Sequence, residues 1–211
     1  MTFDEYLLSW SRLHSQAKAS AIVRMWLRAA FWCSSPFIRF GPNAVTFFGA
    51  LVMLLTIPLA HTRPICAAVA MPLIGLIDNI DGIVAVRSQR VSRYGAFLDS
   101  VVDRLVDIAC VGLIISFGAP ITLAILAVMT TLLLEYIRAR ASSLGATDVG
   151  VISIAEKPTR VILTFMTLLC IALFPFDQEV VSTISIITWS TVGMIGIFQV
   201  WPAMRRQLQA Q

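Results

Sequence analysis

Five aspartates crowd one short stretch of an otherwise apolar chain: Asp78 and Asp81 in Asp78-Asn79-Ile80-Asp81-Gly82, then Asp99, Asp103 and Asp107. The first two stand three residues apart and the last three at steps of four, so on helices each set shares a face. An ionised aspartate inside a membrane span costs about 2.5 to 3.5 kcal/mol on insertion scales, which makes packing a poor reason to keep five. Like charges this close repel one another unless protonated or bound to metal. Hard divalent cations take oxygen ligands, and two neighbouring ions can hold substrate phosphates and a nucleophile together. The spacing therefore points to a metal site that handles phosphate. The alternative is ordinary ion pairing, such as Asp107 with Arg104 or Asp81 with Arg87. Gly82 and Gly95 flank the loop, where a missing side chain lets a ligand approach the backbone or relieves crowding between helices.

A second set of residues is cationic. Glu135-Tyr136-Ile137-Arg138-Ala139-Arg140 and Ala155-Glu156-Lys157-Pro158-Thr159-Arg160 place Arg138, Arg140, Lys157 and Arg160 at the ends of two apolar segments. Arginine grips phosphate with paired donors and lysine acts as a point charge, so these four suit a pocket for a phosphorylated small molecule. The other explanation is that they merely follow the charge rule for membrane loops.

Long apolar helices must position both sets. The 211 residues are 58% hydrophobic and 13% charged, with a mean hydropathy of +0.83, a composition no ordinary water-soluble domain has. The expected fold is all-α and polytopic: an amphipathic helical region at 1–40 lying on the membrane surface, then a six-helix membrane domain at 41–211. Phe3, Tyr6, Leu7, Trp10, Leu13 and Ala17 recur at helical spacing, and Ile22, Met25, Trp26, Ala29 and Trp32 form a second stripe away from Arg24 and Arg28. After Gly41-Pro42-Asn43, spans are predicted near 44–60, 64–86, 95–117, 120–138, 160–176 and 180–202. Six spans put both termini and the second and fourth loops on one side. Arg63 alone then falls on the other side, leaving 15 of the 16 Lys and Arg together. By the positive-inside rule that side, with the aspartates, is the cytoplasmic side of the cell membrane. The net charge of +4 has the same origin, so no nucleic-acid partner is implied. Cys33, Cys66, Cys110 and Cys170 lack metal-ligand spacing and read as small core residues. The acidic start lacks the pattern of a removable signal peptide.

The acidic stretch resembles the signature of the CDP-alcohol phosphatidyltransferase family, D-x-x-D-G-x-x-A-R-x8-G-x3-D-x3-D. Asp78, Asp81, Gly82, Ala85, Gly95, Asp99 and Asp103 fall on it at the required spacing. Val86 stands where the signature has arginine, with Arg87 one residue later. One residue is about 100° around a helix, so Arg87 substitutes only where the helix is ending. Pro42-Asn43-x-x-Thr46 is also typical of the family.

The resemblance implies a magnesium-dependent transferase, with two ions and manganese as the alternative. Asp78, Asp81, Asp99 and Asp103 would be metal ligands, Asp103 doubling as general base. Gly82, Ala85, Arg87 and Gly95 would border the CDP-lipid. A phosphatidyl group would pass from CDP-diacylglycerol to a small polar alcohol with release of CMP, in a homodimer embedded in membrane lipids. Tyr136-Ile137-Arg138-Ala139-Arg140 and Gly95-Ala96-Phe97-Leu98-Asp99-Ser100 resemble the branches that use phosphorylated acceptors. Inositol 1-phosphate is expected, and glycerol 3-phosphate is the alternative. Two other classes stay open: a transporter whose aspartates bind cations, and an impaired family member, motivated by Val86. Aspartate-rich membrane prenyltransferases lack this Gly and Asp spacing.

Overall fold

Proline and glycine punctuate the chain where helices begin and end. The computed structural model describes residues 2–13, 21–146 and 153–209. Their secondary structure is entirely helical: α1 (Phe3–Leu13), α2 (Ala21–Cys33), a 3-10 turn (Ser35–Arg39), α3 (Pro42–Thr62), α4 (Pro64–Arg87), α5 (Arg93–Ile115), α6 (Ile121–Ser143), α7 (Lys157–Leu173) and α8 (Gln178–Gln209). Pro42 and Pro64 open α3 and α4, positions whose missing N–H costs no helical bond. Gly41 turns the chain ahead of α3 with φ +85°. Pro58, Pro72 and Pro202 lie inside helices, which neighbouring elements tolerate in a membrane setting. Pro202 therefore does not end α8, and that helix runs past the expected limit of 202 to Gln209.

Six helices stand where six spans were expected. Four of them, α3, α4, α6 and α8, are long and apolar enough to cross a bilayer by length and composition. Of the other two, α5 carries Asp99, Asp103, Arg104 and Asp107, and α7 has 17 residues. Large apolar side chains cover outward faces, among them Leu51, Leu54 and Leu55 on α3 and Ile125 and Met129 on α6. Patches on this scale are matched by hydrocarbon as solvent, and the chain is a membrane protein. Arg12, Ala17 and Lys18, part of the expected surface helix, lie outside the described residues or side chains, as do Trp10, Leu13 and Ile22.

The described chain forms two compact units that do not follow chain order. The first takes Met1–Met53 and Leu73–Leu105. Its apolar core joins Tyr6, Leu27, Ala30 and Phe31 from α1 and α2 to Val45 of α3 and Ile80, Ile83 and Val84 of α4. Phe31 is its aromatic hub, with ring centroids 5.7 Å from Phe3 and 5.8 Å from Tyr6.

The second unit takes Leu54–Pro72 and Val106–Gln211. Within it α6 and α8 pack in parallel, since Thr131 meets Trp189 and, further along both helices, Ala141 shares a cluster with Met204. Trp189 Nε1 donates to Thr131 Oγ1 at 2.9 Å in a buried setting. Gly193 permits the approach: a Cβ there would lie 2.6 Å from Thr130 Oγ1. Small residues at helix crossings are what membrane packing favours.

Candidate metal and phosphate site

The site is built at the C-terminal end of α4 and the start of α5, in the first unit. One carboxylate oxygen from each of Asp78, Asp99 and Asp103 lies within 4.8 Å of the others, and all three side chains are half-buried. A magnesium or calcium ion holds oxygens at about 2.0 to 2.6 Å, so ligands on opposite sides of one ion stand about 4 to 5 Å apart. The donor set and its spread fit a hard divalent cation.

Asp81 stands in the same helical turn as Asp78 but in a different environment. It is buried, and Thr46 Oγ1 of α3 donates to its Oδ2 at 2.7 Å. Thr46 was visible in sequence only as part of the Pro42-Asn43-x-x-Thr46 pattern, with no role attached. Asp81 is bonded to Thr46, and Asp107 pairs with Arg160. Arg104 approaches Asp103, with 3.8 Å between Nη2 and Oδ2.

The turn between the helices is a Schellman motif. The Arg90 N–H donates to Ala85 O at 2.9 Å and the Gln89 N–H to Val86 O at 3.3 Å, around Gln89 at φ 56°. The helix is therefore ending at Arg87, the condition under which Arg87 was expected to take over from Val86. Its guanidinium is directed to the end of α2 instead. Nη1 donates to Phe31 O at 2.9 Å and Ser34 Oγ at 2.6 Å, and the guanidinium stacks 4.4 Å from the centre of the Phe31 ring. A cation at the last carbonyls of α2 caps that helix. Val86 packs against the apolar core of the first unit. Ala85 is half-buried beside it. Gly82 faces open space, for a Cβ there would meet nothing within 4 Å. At Gly95 a Cβ would lie 3.1 Å from Ser92 Oγ and 3.3 Å from Asn43 Oδ1, so this glycine makes room for the protein itself.

The second unit holds the cationic set, and there the charges are answered by carboxylates. Arg160 is 4% exposed. Its Nη1 donates to Asp107 Oδ2 at 2.8 Å and its Nη2 to Glu135 Oε1 at 3.0 Å. Arg138 makes a two-pronged contact with Glu156, with Nη1 donating to Oε2 at 3.0 Å and Nη2 to Oε1. Burial alone would push the Glu156 carboxyl up; hydrogen bonds from Arg138 and from the Ser153 N–H and hydroxyl, with the Arg138 charge, hold it below its ordinary value. Arg140 is exposed, with Nη1 3.3 Å from Ser143 Oγ. Lys157 is half-buried at the start of α7. Of the four cations expected to bind phosphate, two guanidiniums are thus engaged by protein carboxylates. Glu135 and Glu156 were present in the quoted segments, yet nothing in their spacing identified their partners.

A family model described as CDP-alcohol phosphatidyltransferase matches residues 39–198. Archaetidylinositol phosphate synthase of Pyrococcus horikoshii is 30% identical over 153 residues, covering 71% of this chain and 78% of that protein. Phosphatidylinositol phosphate synthase of Corynebacterium glutamicum is 32% identical over 143 residues, covering 62% of this chain and 64% of that protein. In fold the chain is similar to the crystal structure of Mycobacterium tuberculosis phosphatidylinositol phosphate synthase with CDP-DAG bound, at a TM-score of 0.64 and 20% identity. That alignment covers 86% of this chain and 94% of the other.

Proposed function

Because the chain belongs to the CDP-alcohol phosphatidyltransferase family, we propose that it transfers the phosphatidyl group of CDP-diacylglycerol to inositol 1-phosphate, releasing CMP. The observation that carries the chemistry is the convergence of Asp78, Asp99 and Asp103 on one point. The names of the synthases it resembles favour the inositol phosphate acceptor over glycerol 3-phosphate.

In this reading Asp78, Asp81, Asp99 and Asp103 hold two divalent ions, magnesium in preference to manganese. When bound, the ions neutralise the diphosphate of the CDP-lipid and make CMP a better leaving group. Thr46 fixes the Asp81 carboxylate by donating to one of its oxygens. The open space beside Gly82 admits the nucleotide. Asp103 takes the proton of the acceptor hydroxyl as that oxygen forms its bond to the lipid-side phosphorus and the bond to CMP breaks. No covalent enzyme intermediate is required. Arg87, holding the end of α2, positions the end of α4 and so the site, in place of a direct phosphate contact from residue 86. Lys157 and Arg140 contact the acceptor phosphate, while Arg138 and Arg160, fixed by Glu156, Asp107 and Glu135, set the positive edge of that pocket. Residues 1–40 lie on the membrane surface, 41–211 cross the cell membrane several times, and both termini and the site face the cytoplasm. The chain works as a homodimer.

The test is CMP release by the purified protein with CDP-diacylglycerol and magnesium, offering inositol 1-phosphate, glycerol 3-phosphate, free inositol or serine in parallel. Release with inositol 1-phosphate alone is the expected result. Release with glycerol 3-phosphate alone replaces the acceptor but keeps the reaction, and silence with all four from folded protein removes the reaction.

A further inference from the structure

The last turns of α6 and α8 leave a groove of about 340 Å3 between them, within the range of about 300 to 1,000 Å3 that small-molecule sites occupy. Leu144 and Leu208 contribute apolar wall, Tyr136 and Trp201 line it while 64% and 60% exposed, and Arg140 and Arg205 complete the lining. Among the described residues, no carboxylate lines it. This is unlike Arg138 and Arg160 in the same unit, whose guanidiniums are answered by Glu156, Asp107 and Glu135.

We propose that this groove binds an anionic phospholipid of the surrounding leaflet. Its apolar floor suits the first methylenes of an acyl chain. Tyrosine and tryptophan are the side chains that settle at headgroup level. Two guanidiniums, with no carboxylate among the described residues of the groove, match a phosphodiester, which arginine binds with paired donors. A zwitterionic lipid would bring its own cation to two arginines, so the complementarity selects a headgroup with net negative charge. A free phosphorylated alcohol would leave the apolar wall uncovered. The inference does not rest on the proposed reaction, since it concerns a surface made only of α6 and α8.

The test titrates purified protein in neutral detergent with dioleoylphosphatidylglycerol and, in parallel, dioleoylphosphatidylcholine, counting retained lipid by native mass spectrometry and following thermal unfolding. Phosphatidylglycerol should be retained and should raise the unfolding temperature; phosphatidylcholine should do neither. Arg205→Gln should weaken retention roughly fivefold and the double variant with Arg140→Gln roughly twenty-fivefold. Arg205 is the deciding position, because Arg140 also belongs to the acceptor reading. Equal retention of both lipids, wild-type retention by Arg205→Gln, or displacement of the lipid by inositol 1-phosphate would each overturn the proposal. So would an Arg205→Gln protein that loses dimers while keeping its lipid, which would make a second copy of the chain the occupant.

Discussion

The two compact units differ in how their acidic residues are grouped. In the second, carboxylates meet guanidiniums: Asp107 and Glu135 share Arg160, and Glu156 takes Arg138 with both oxygens. In the first, carboxylates meet one another, as Asp78, Asp99 and Asp103 bring oxygens within 4.8 Å. One helix, α5, carries Asp99 and Asp103 for the first arrangement and Asp107 for the second. Residue type and spacing therefore do not decide what a buried acid is for; its partner does. Acids closed by arginine fasten helices to one another, whereas acids that converge hold a repulsion that a bound cation relieves.

The largest effect expected from this contrast is at Asp103. Asp103→Asn should lower CMP release by about 10^3-fold or more while largely keeping CDP-lipid binding, since a positioned base contributes about 10^2 to 10^4; unchanged release would remove Asp103 as the base. Stability should divide the two regions by sign. Arg160→Met strands Asp107 and Glu135 and should destabilise the folded protein by about 3 to 5 kcal/mol, read as detergent or thermal unfolding. Asp99→Asn relieves repulsion and should raise the metal-free unfolding temperature while abolishing the further rise that magnesium gives by binding the native state. A fall in the metal-free temperature would mean that the first unit, too, uses its acids as fasteners.

Gly82→Ala comes next. Its Cβ would meet no protein atom within 4 Å, and alanine favours a helix by up to about 1 kcal/mol, so the protein should fold at least as well. The apparent KM for CDP-diacylglycerol should nevertheless rise severalfold, as steady-state kinetics will read. The smallest effect is a pH dependence in the second unit. The folded pKa of Glu156 lies below its ordinary 4.5, so its contribution is fully present above pH 4.5 and is lost as the pH falls through the lower folded value. Glu156→Gln should cost about 1 kcal/mol near neutrality and flatten that acid-side loss, measured as unfolding temperature against pH.

The convergence of Asp78, Asp99 and Asp103 was legible because helical periodicity and the signature spacing act within a short stretch of chain. The same periodicity placed Asp107 beside the group, with ion pairing as its alternative. Its partner Arg160 stands 53 residues later, a distance at which no local pattern operates. The carboxylate partners of Arg138 and Arg160 were hidden for the same reason: a cation at the end of an apolar segment looks alike whether a ligand or a carboxylate answers it. Val86 could be recognised as a departure but not explained. Its side chain packs against the apolar core of the first unit, so an arginine there would meet that core, and Arg87 serves α2. The helices themselves were clear, with limits blurred where proline lies inside a membrane helix, as at Pro202.

The tight turn after α4 also bears on the order in which the molecule is made. Asp78, Asp99 and Asp103 all belong to one helical hairpin, closed by the bonds around Gln89. Contacts near in sequence close at little entropic cost and form early. The carboxylates of the site therefore lie on a segment that leaves the ribosome before α6, α7 and α8 exist.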